Sequence, residues 1–162
     1  MDTLKNSRGF TMLEIMITIV IIGILASMAT PRFLNFIQRM KGRAEASRDV
    51  SFLRSARSEA VSSGTPTGVK LNNVNKSLFV FQDIDGDNIY TAGIDSITAG
   101  PITLSGSTIL KSCSFGNNTV IFNTNGTANS SGSFVFTYEE DTTRVFTISI
   151  TAATGKVRMT TE

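Results

Sequence analysis

The sequence of 162 residues has no histidine and a single cysteine, Cys113. Without histidine the usual general base and the commonest metal-ligating side chain are both missing. One cysteine excludes an intramolecular disulfide. Cys113 reads as a small buried hydrophobe in a strand, with an intermolecular bridge as the alternative. Serines and threonines are plentiful, but no Cys–His pair and no phosphate-cradling glycine loop accompanies them. No enzymatic activity and no cofactor are therefore expected. There is no internal repeat, and proline is scarce at three residues, two of which (Pro31 and Pro66) mark a helix bend and a helix stop below.

What is present is unevenly placed. The net charge is +2, but residues 32–62 hold seven basic side chains against three acidic ones. From residue 63 onward six basic residues face eight acidic ones. The basic stretch fits contact with anionic headgroups or neighbouring subunits. Residues 10–31 are nearly all apolar, whereas the chain after residue 62 is rich in Gly, Ser, Thr and Asn. The first composition suits a membrane helix and the second suits short strands joined by turns.

The apolar run from Phe10 to Ala29 is about 20 residues long, enough at about 1.5 Å per residue to span a bilayer core. Lys5 and Arg8 precede it, which favours a cytoplasmic N-terminus. An ordinary secretory signal, cleaved after Ser27-Met28-Ala29, is the rival reading. Against it, the run is long for a signal core and carries a carboxylate, Glu14. A charge inside a membrane segment costs roughly 2.5–3.5 kcal/mol at the centre and less near the edge. A disposable signal has no need of one.

Arg8-Gly9-Phe10-Thr11-Met12-Leu13-Glu14 resembles the prepilin motif of type IV pilins and type II secretion pseudopilins. The resemblance implies a leader, residues 1–9, cut by a prepilin peptidase between Gly9 and Phe10 on the cytoplasmic side. It also implies N-methylation of the new Phe10 amine. Glu14 would then be the fifth residue of the mature chain. In an apolar helix bundle an unpaired carboxylate is costly. An N-terminal amine is its natural partner, and the pairing would set the axial register between subunits. The alternative leaves Glu14 at the headgroup level.

Beyond the apolar run, residues 10–31, helical periodicity continues over 32–63. Phe33, Ile37, Met40 and Ala44 step by three or four; after a phase shift, so do Ala46, Val50, Leu53, Ala56 and Ala60. Pro31 lacks an N–H and predicts a kink. Ser62-Ser63-Gly64, with Pro66 beyond, predicts the helix end. The second half of the helix is expected to pack on a head formed by residues 64–162. Strands are predicted at 67–71, 77–82, 102–104, 108–111, 119–123, 133–138, 145–151 and 156–160. Asn125-Gly126 predicts a type I′ hairpin turn. The fold class is thus α+β: a long kinked N-terminal helix packed on an antiparallel β-sandwich-like head.

Later segments are similar to the GspH/FimT group of minor pseudopilins and pilins. They are Ser55-Ala56-Arg57-Ser58-Glu59-Ala60-Val61 with Gly64-Thr65-Pro66, Phe81-Gln82-Asp83-Ile84-Asp85-Gly86-Asp87, and Gly155-Lys156-Val157-Arg158. The resemblance implies a low-abundance subunit that starts or caps a type IV pilus. Alternatives are a minor pseudopilin of type II secretion and a pilus-tip DNA-binding subunit. The implied partners are other pilin or pseudopilin subunits, the prepilin peptidase, the inner membrane and, in the last case, DNA. The implied location is the inner membrane, single-pass with a periplasmic head, and then the pilus or pseudopilus.

Two candidate sites remain in the head. Asp83, Asp85 and Asp87 offer oxygens suited to Ca²⁺, but the spacing departs from an EF-hand and an Asp-Gly hairpin turn explains the same residues. Lys156 and Arg158 alternate with Val157, so both point to one face of a strand. The stretch resembles the basic Gly-Arg-x-Arg ending that FimT-like pilins use for DNA, with Lys in place of the first Arg. Two phosphate contacts give weak, salt-sensitive binding, and a solvated edge strand with protective charges is the other reading.

Overall fold

The structure, a computed structural model, describes residues 9–104, 108–138 and 141–161. Lys5 and Arg8 of the expected leader lie outside the described residues. The chain divides into two units, Met1–Arg39 and Met40–Glu162.

One helix, α1, runs over Met12–Ser63. It begins at a cap: the Thr11 hydroxyl accepts from the Glu14 N–H at 3.2 Å. Thr at the cap with Glu three positions on is the pattern of a capping box, and the Glu14 carboxylate lies at the positive end of the helix dipole. Pro31 falls within the continuous helix. The helix ends where Gly64 adopts φ +67, the left-handed stop that glycine allows.

In the first unit, Leu13, Ile15, Ile17, Ile19, Val20, Ile21, Ile22, Ile24 and Leu25 are all exposed. A helix apolar on every side has no water-facing surface of its own. Its hydroxyls are satisfied locally: Thr18, Ser27 and Thr30 donate to the carbonyls of Ile15, Ile24 and Ala26 at 2.7–2.8 Å.

The second unit is built on two four-stranded antiparallel sheets. The strands are β1 (Thr67–Asn72), β2 (Ser77–Gln82), β3 (Ser96–Thr103), β4 (Thr108–Cys113), β5 (Thr119–Phe122), β6 (Gly132–Tyr138), β7 (Asp141–Thr151) and β8 (Lys156–Thr161). The sheet orders are β3-β2-β1-β5 and β4-β6-β7-β8. The inner faces are Val69, Leu71, Leu78, Val80, Val120 and Phe122 from the first sheet. Phe134, Phe136, Ile148, Ile150 and Val157 come from the second, and Val50, Leu53, Ala56 and Ala60 of α1 join the same core. Burying each such Phe, Leu or Ile contributes about 1.5–3 kcal/mol.

The outer face of the first sheet has its own cluster of Phe79, Phe81 and Ile121, covered by Tyr90. Tyr90 meets both phenylalanine rings edge-on, at 5.0 and 5.3 Å between centroids. Gly68 makes this possible, because a Cβ there would run into the Phe81 ring and the Ile121 methyl.

Four sequence expectations are corrected. Within the second unit the buried stripe of α1 begins at Gly42 and Ala46, and Met40 and Ala44 of the expected stripe are exposed. Strand β3 starts at Ser96, well before residue 102, because both faces of this edge strand are largely exposed and leave no apolar alternation to read. Asp83-Ile84-Asp85-Gly86-Asp87 is no tight hairpin but the start of a loop over residues 83–95 that lies on the outer face of the first sheet. Finally, a type I′ turn needs positive φ at both central residues; Gly126 has φ +79 but Asn125 does not share that region. Asn125 Oδ1 instead accepts from the Thr127 N–H and hydroxyl at 3.1 and 2.7 Å, and the loop closes through Asn123 N–H to the Thr127 carbonyl at 2.8 Å.

Candidate functional site

The N-terminal site is a short stretch of chain. Gly9 and Phe10 precede the helix, and both are exposed. Among the described residues nothing lies within 4 Å of where a Gly9 Cβ would stand, and none covers the peptide bond between them. Phe10 is 79% exposed. One turn on, among the described residues, no side chain or main-chain group bonds the Glu14 carboxylate. Glu14 is thus the polar group of this apolar run left needing a partner, while Thr18, Ser27 and Thr30 are self-satisfied. The cap at Thr11 went unread in the sequence, although Thr-x-x-Glu before an apolar run is its signal.

In the head, Asp83, Asp85 and Asp87 bring oxygens within 4.8 Å of one another. Those oxygens already hold the loop. Asp83 accepts from the N–H groups of Gly86 and Asn88 at 2.9 and 3.1 Å. Asp85 accepts from Asp87 at 3.3 Å and Asp87 from Ile89 at 2.7 Å. Burial raises the Asp83 carboxyl above its usual range; the Asn88 and Gly86 N–H groups work against this, and the neighbouring Asp95 adds to it. Asp95, unread in the sequence, closes the other end of the loop by accepting from Ile84 and Thr91 N–H groups at 3.0 and 2.6 Å. The acidic residues act as main-chain braces.

Lys156 and Arg158 are both exposed on β8, with buried Val157 between them. They pair in register with Thr151 and Ser149 of β7. Two helix arginines reach the same region. Arg54 donates to the Val157 carbonyl at 3.2 Å and Arg57 to the Gly126 carbonyl at 2.8 Å. Arg54, Arg57, Thr154 and Lys156 border an open groove of about 490 Å³. Cys113 is half-buried at the end of β4; burial raises its thiol, and its Sγ–H donates to the Phe115 carbonyl at 3.9 Å.

Asp49 is a further residue that the sequence reading passed over. It interrupts the apolar stripe of α1 between Ala46 and Val50, which was its signal. It is 2% exposed, and its Oδ1 has no hydrogen-bond partner. Burial pushes its carboxyl up to about 7; Arg48, at 4.0 Å, pulls it down and Glu45 pushes it further up. The flanking residues tie α1 to the sheets: Arg48 donates to the Thr103 carbonyl at 2.9 Å and Thr108 donates to Glu45 at 3.0 Å.

Comparison with known proteins agrees with this architecture. The family described as type II transport protein GspH matches residues 45–154, and the prokaryotic N-terminal methylation motif matches residues 4–30. The chain belongs to the GspH family. Its fold is shared with the minor pseudopilin EpsH from the type 2 secretion system of Vibrio cholerae, at TM-score 0.56 and 13% identity over 73% of this chain and 94% of that one. It is also shared with the type IV minor pilin FimU of Pseudomonas aeruginosa, at TM-score 0.53 and 22% identity over 73% of this chain and 91% of that one. Curated relatives include the type IV major pilin protein PilA of Myxococcus xanthus, 45% identical over 51 residues, or 32% of this chain and 23% of the relative. A fimbrial protein of Moraxella nonliquefaciens is 32% identical over 95 residues, 59% of this chain and 51% of that one. The matches thus span between about a quarter and a half of those relatives' own lengths. Among the described residues, this GspH-family chain has one helix long and apolar enough to cross a membrane.

Proposed function

We propose that this chain is a minor subunit of a type IV pilus, cut after Gly9, methylated on Phe10 and inserted into or priming the filament. The observation that carries the reading is the helix start: an open Gly9–Phe10 bond, a capped first turn, an all-round apolar helix and an unpaired Glu14. In a bundle of such helices the Phe10 amine of a neighbour meets the Glu14 carboxylate and fixes the axial step. Residues 10–31 anchor the chain in the inner membrane with its N-terminus in the cytoplasm and its head in the periplasm. Pro31, without an N–H, lets the helix bend at the end of the apolar run. No catalytic step is assigned to the chain.

Glu14→Ala tests this reading. The variant inserts in the membrane and is processed, yet is lost from sheared filaments. Normal incorporation would remove the charge-pair argument. A second reading, minor pseudopilin of a type II secretion system, is favoured by the fold shared with EpsH. Deleting the gene separates the two: loss of surface pili with secretion intact supports the first, and loss of secretion with pili intact supports the second.

A further inference from the structure

The head holds a buried acid that takes no part in processing or membrane insertion. Asp49 lies on the packed stripe of α1 among Ala46, Val50 and Leu53, all buried. Its Oδ1 is enclosed without a hydrogen-bond partner. A carboxylate in such a place is costly, so the folded head favours the neutral acid. The charged groups that act on it are both on α1: Arg48, with Nε 4.0 Å from Oδ1, and Glu45 one turn earlier. Among the described residues the facing strands add none. β3 has no ionisable side chain. Lys76 before β2, Lys111 of β4, Arg144 of β7, and Lys156 and Arg158 of β8 form no ion pair with Asp49. Cys113 lies at the far end of β4.

The two neighbours of Asp49 are also the groups that tie the sheets to the helix. Arg48 Nη2 donates to the carbonyl of Thr103, the last residue of β3, at 2.9 Å. Glu45 accepts from the hydroxyl of Thr108, the first residue of β4, at 3.0 Å. β3 belongs to one sheet and β4 to the other, so one turn of α1 pins a strand end from each. Beside them the Leu104 N–H donates to the Lys76 carbonyl at 2.7 Å. Leu104 also lines a cavity of about 280 Å³ with Leu71, Ile109 and Leu110.

A charge on Asp49 acts on both pins at once. It draws the Arg48 guanidinium toward itself and away from the Thr103 carbonyl. It stands at i,i+4 from Glu45, a like charge, and so pushes that carboxylate off Thr108. We propose that Asp49 is a proton-operated catch: protonated, it leaves Arg48 and Glu45 holding the ends of β3 and β4; deprotonated, it releases them and opens the cavity beside Leu104. The closed catch keeps its proton up to about 7, whereas a solvated carboxyl gives it up near 3.8. Release is therefore favoured progressively as pH rises between these values and gains nothing more above them. The catch is independent of Glu14, of N-terminal processing and of the machine the chain serves.

The test compares the detergent-solubilised full chain with its Asp49→Asn variant at matched pH, so that the intrinsic pH dependence of hydrogen exchange cancels. Exchange is read at the Leu104 N–H and at the Ala128 N–H. The latter donates to the Ala152 carbonyl, near the Gly126 carbonyl that Arg57 holds further along α1. The ratio of the two proteins' exchange rates at Leu104 should rise by about tenfold or more between pH 5 and pH 8, with the original chain the faster. The ratio at Ala128 should stay level. A flat ratio at Leu104 overturns the proposal. An equal rise at Ala128 also overturns it, because the charge then loosens the whole head and not the strand ends. Should Asp49→Asn fail to fold, Glu45→Gln takes its place. It keeps an acceptor for Thr108 and removes the like charge, so the pH response at Leu104 should shrink severalfold. A response as steep as in the original chain overturns the catch.

Discussion

Asp49 carries the largest electrostatic tension in the head. Its carboxyl is held at about 7 by burial, against an ordinary value of 3.8. The folded head keeps the proton between these values, whereas the unfolded chain gives it up. Stability from this group is therefore fully present below about 4, declines as pH rises, and is exhausted above about 7. The span amounts to no more than roughly 4 kcal/mol. Thermal unfolding of the detergent-solubilised chain should show its melting temperature falling from pH 5 to pH 8. Asp49→Asn, which cannot ionise, should flatten that slope; an unchanged slope would assign the pH dependence elsewhere. Gly68 is the second decisive residue. Gly68→Ala should cost about 1–3 kcal/mol, because its methyl group meets the Phe81 ring and Ile121 in a filled cluster. Denaturant midpoints of the two proteins check this. The sequence showed neither role. Asp49 hid inside an otherwise regular apolar stripe, and Gly68 matters only because β1 lies between β2 and β5, a pairing that local pattern does not reveal.

Among elements, the strands were the most legible. Phe134, Phe136, Ile148 and Ile150 alternate strictly; β6 is where that alternation placed it, and β7 ends there but starts earlier, at Asp141. The second stripe of α1, from Ala46 to Ala60, was also legible, since helical period and burial coincide there. The first stripe was misleading. Met40 and Ala44 keep the period without being buried in the head, so periodicity alone misjudged where packing begins. The loop of residues 83–95 was read as a local turn because its acidic run is so compact. What defines it is Asp95, beyond the reach of any turn signature. Asp95→Ala should free the Ile84 and Thr91 N–H groups and loosen Tyr90 from Phe79 and Phe81. A loss of about 1–3 kcal/mol is expected. Hydrogen exchange should speed up across residues 83–95 and leave β6 and β7 protected; uniform loss of protection would contradict a separately braced loop.

For the whole molecule, two functions are laid out along one helix. The part of α1 before Arg39 exposes apolar side chains on all sides, and the part from Ala46 onward is core to the head. Membership of the GspH family and the methylation motif at residues 4–30 agree with that division. The leader motif was legible because it is a contiguous run of specific residue types around one bond. The outward face of Lys156 and Arg158 was legible from their alternation with Val157, whereas the loop of residues 83–95 was not, because its bracing depends on Asp95. The central claim is that the chain is a prepilin-type subunit whose mature form starts at Phe10. Mass spectrometry of the protein recovered from membranes tests it most directly. The account predicts an N-terminal peptide beginning with N-methylated Phe10. A mature chain beginning at Thr30, or one retaining Met1 through Gly9, would contradict it.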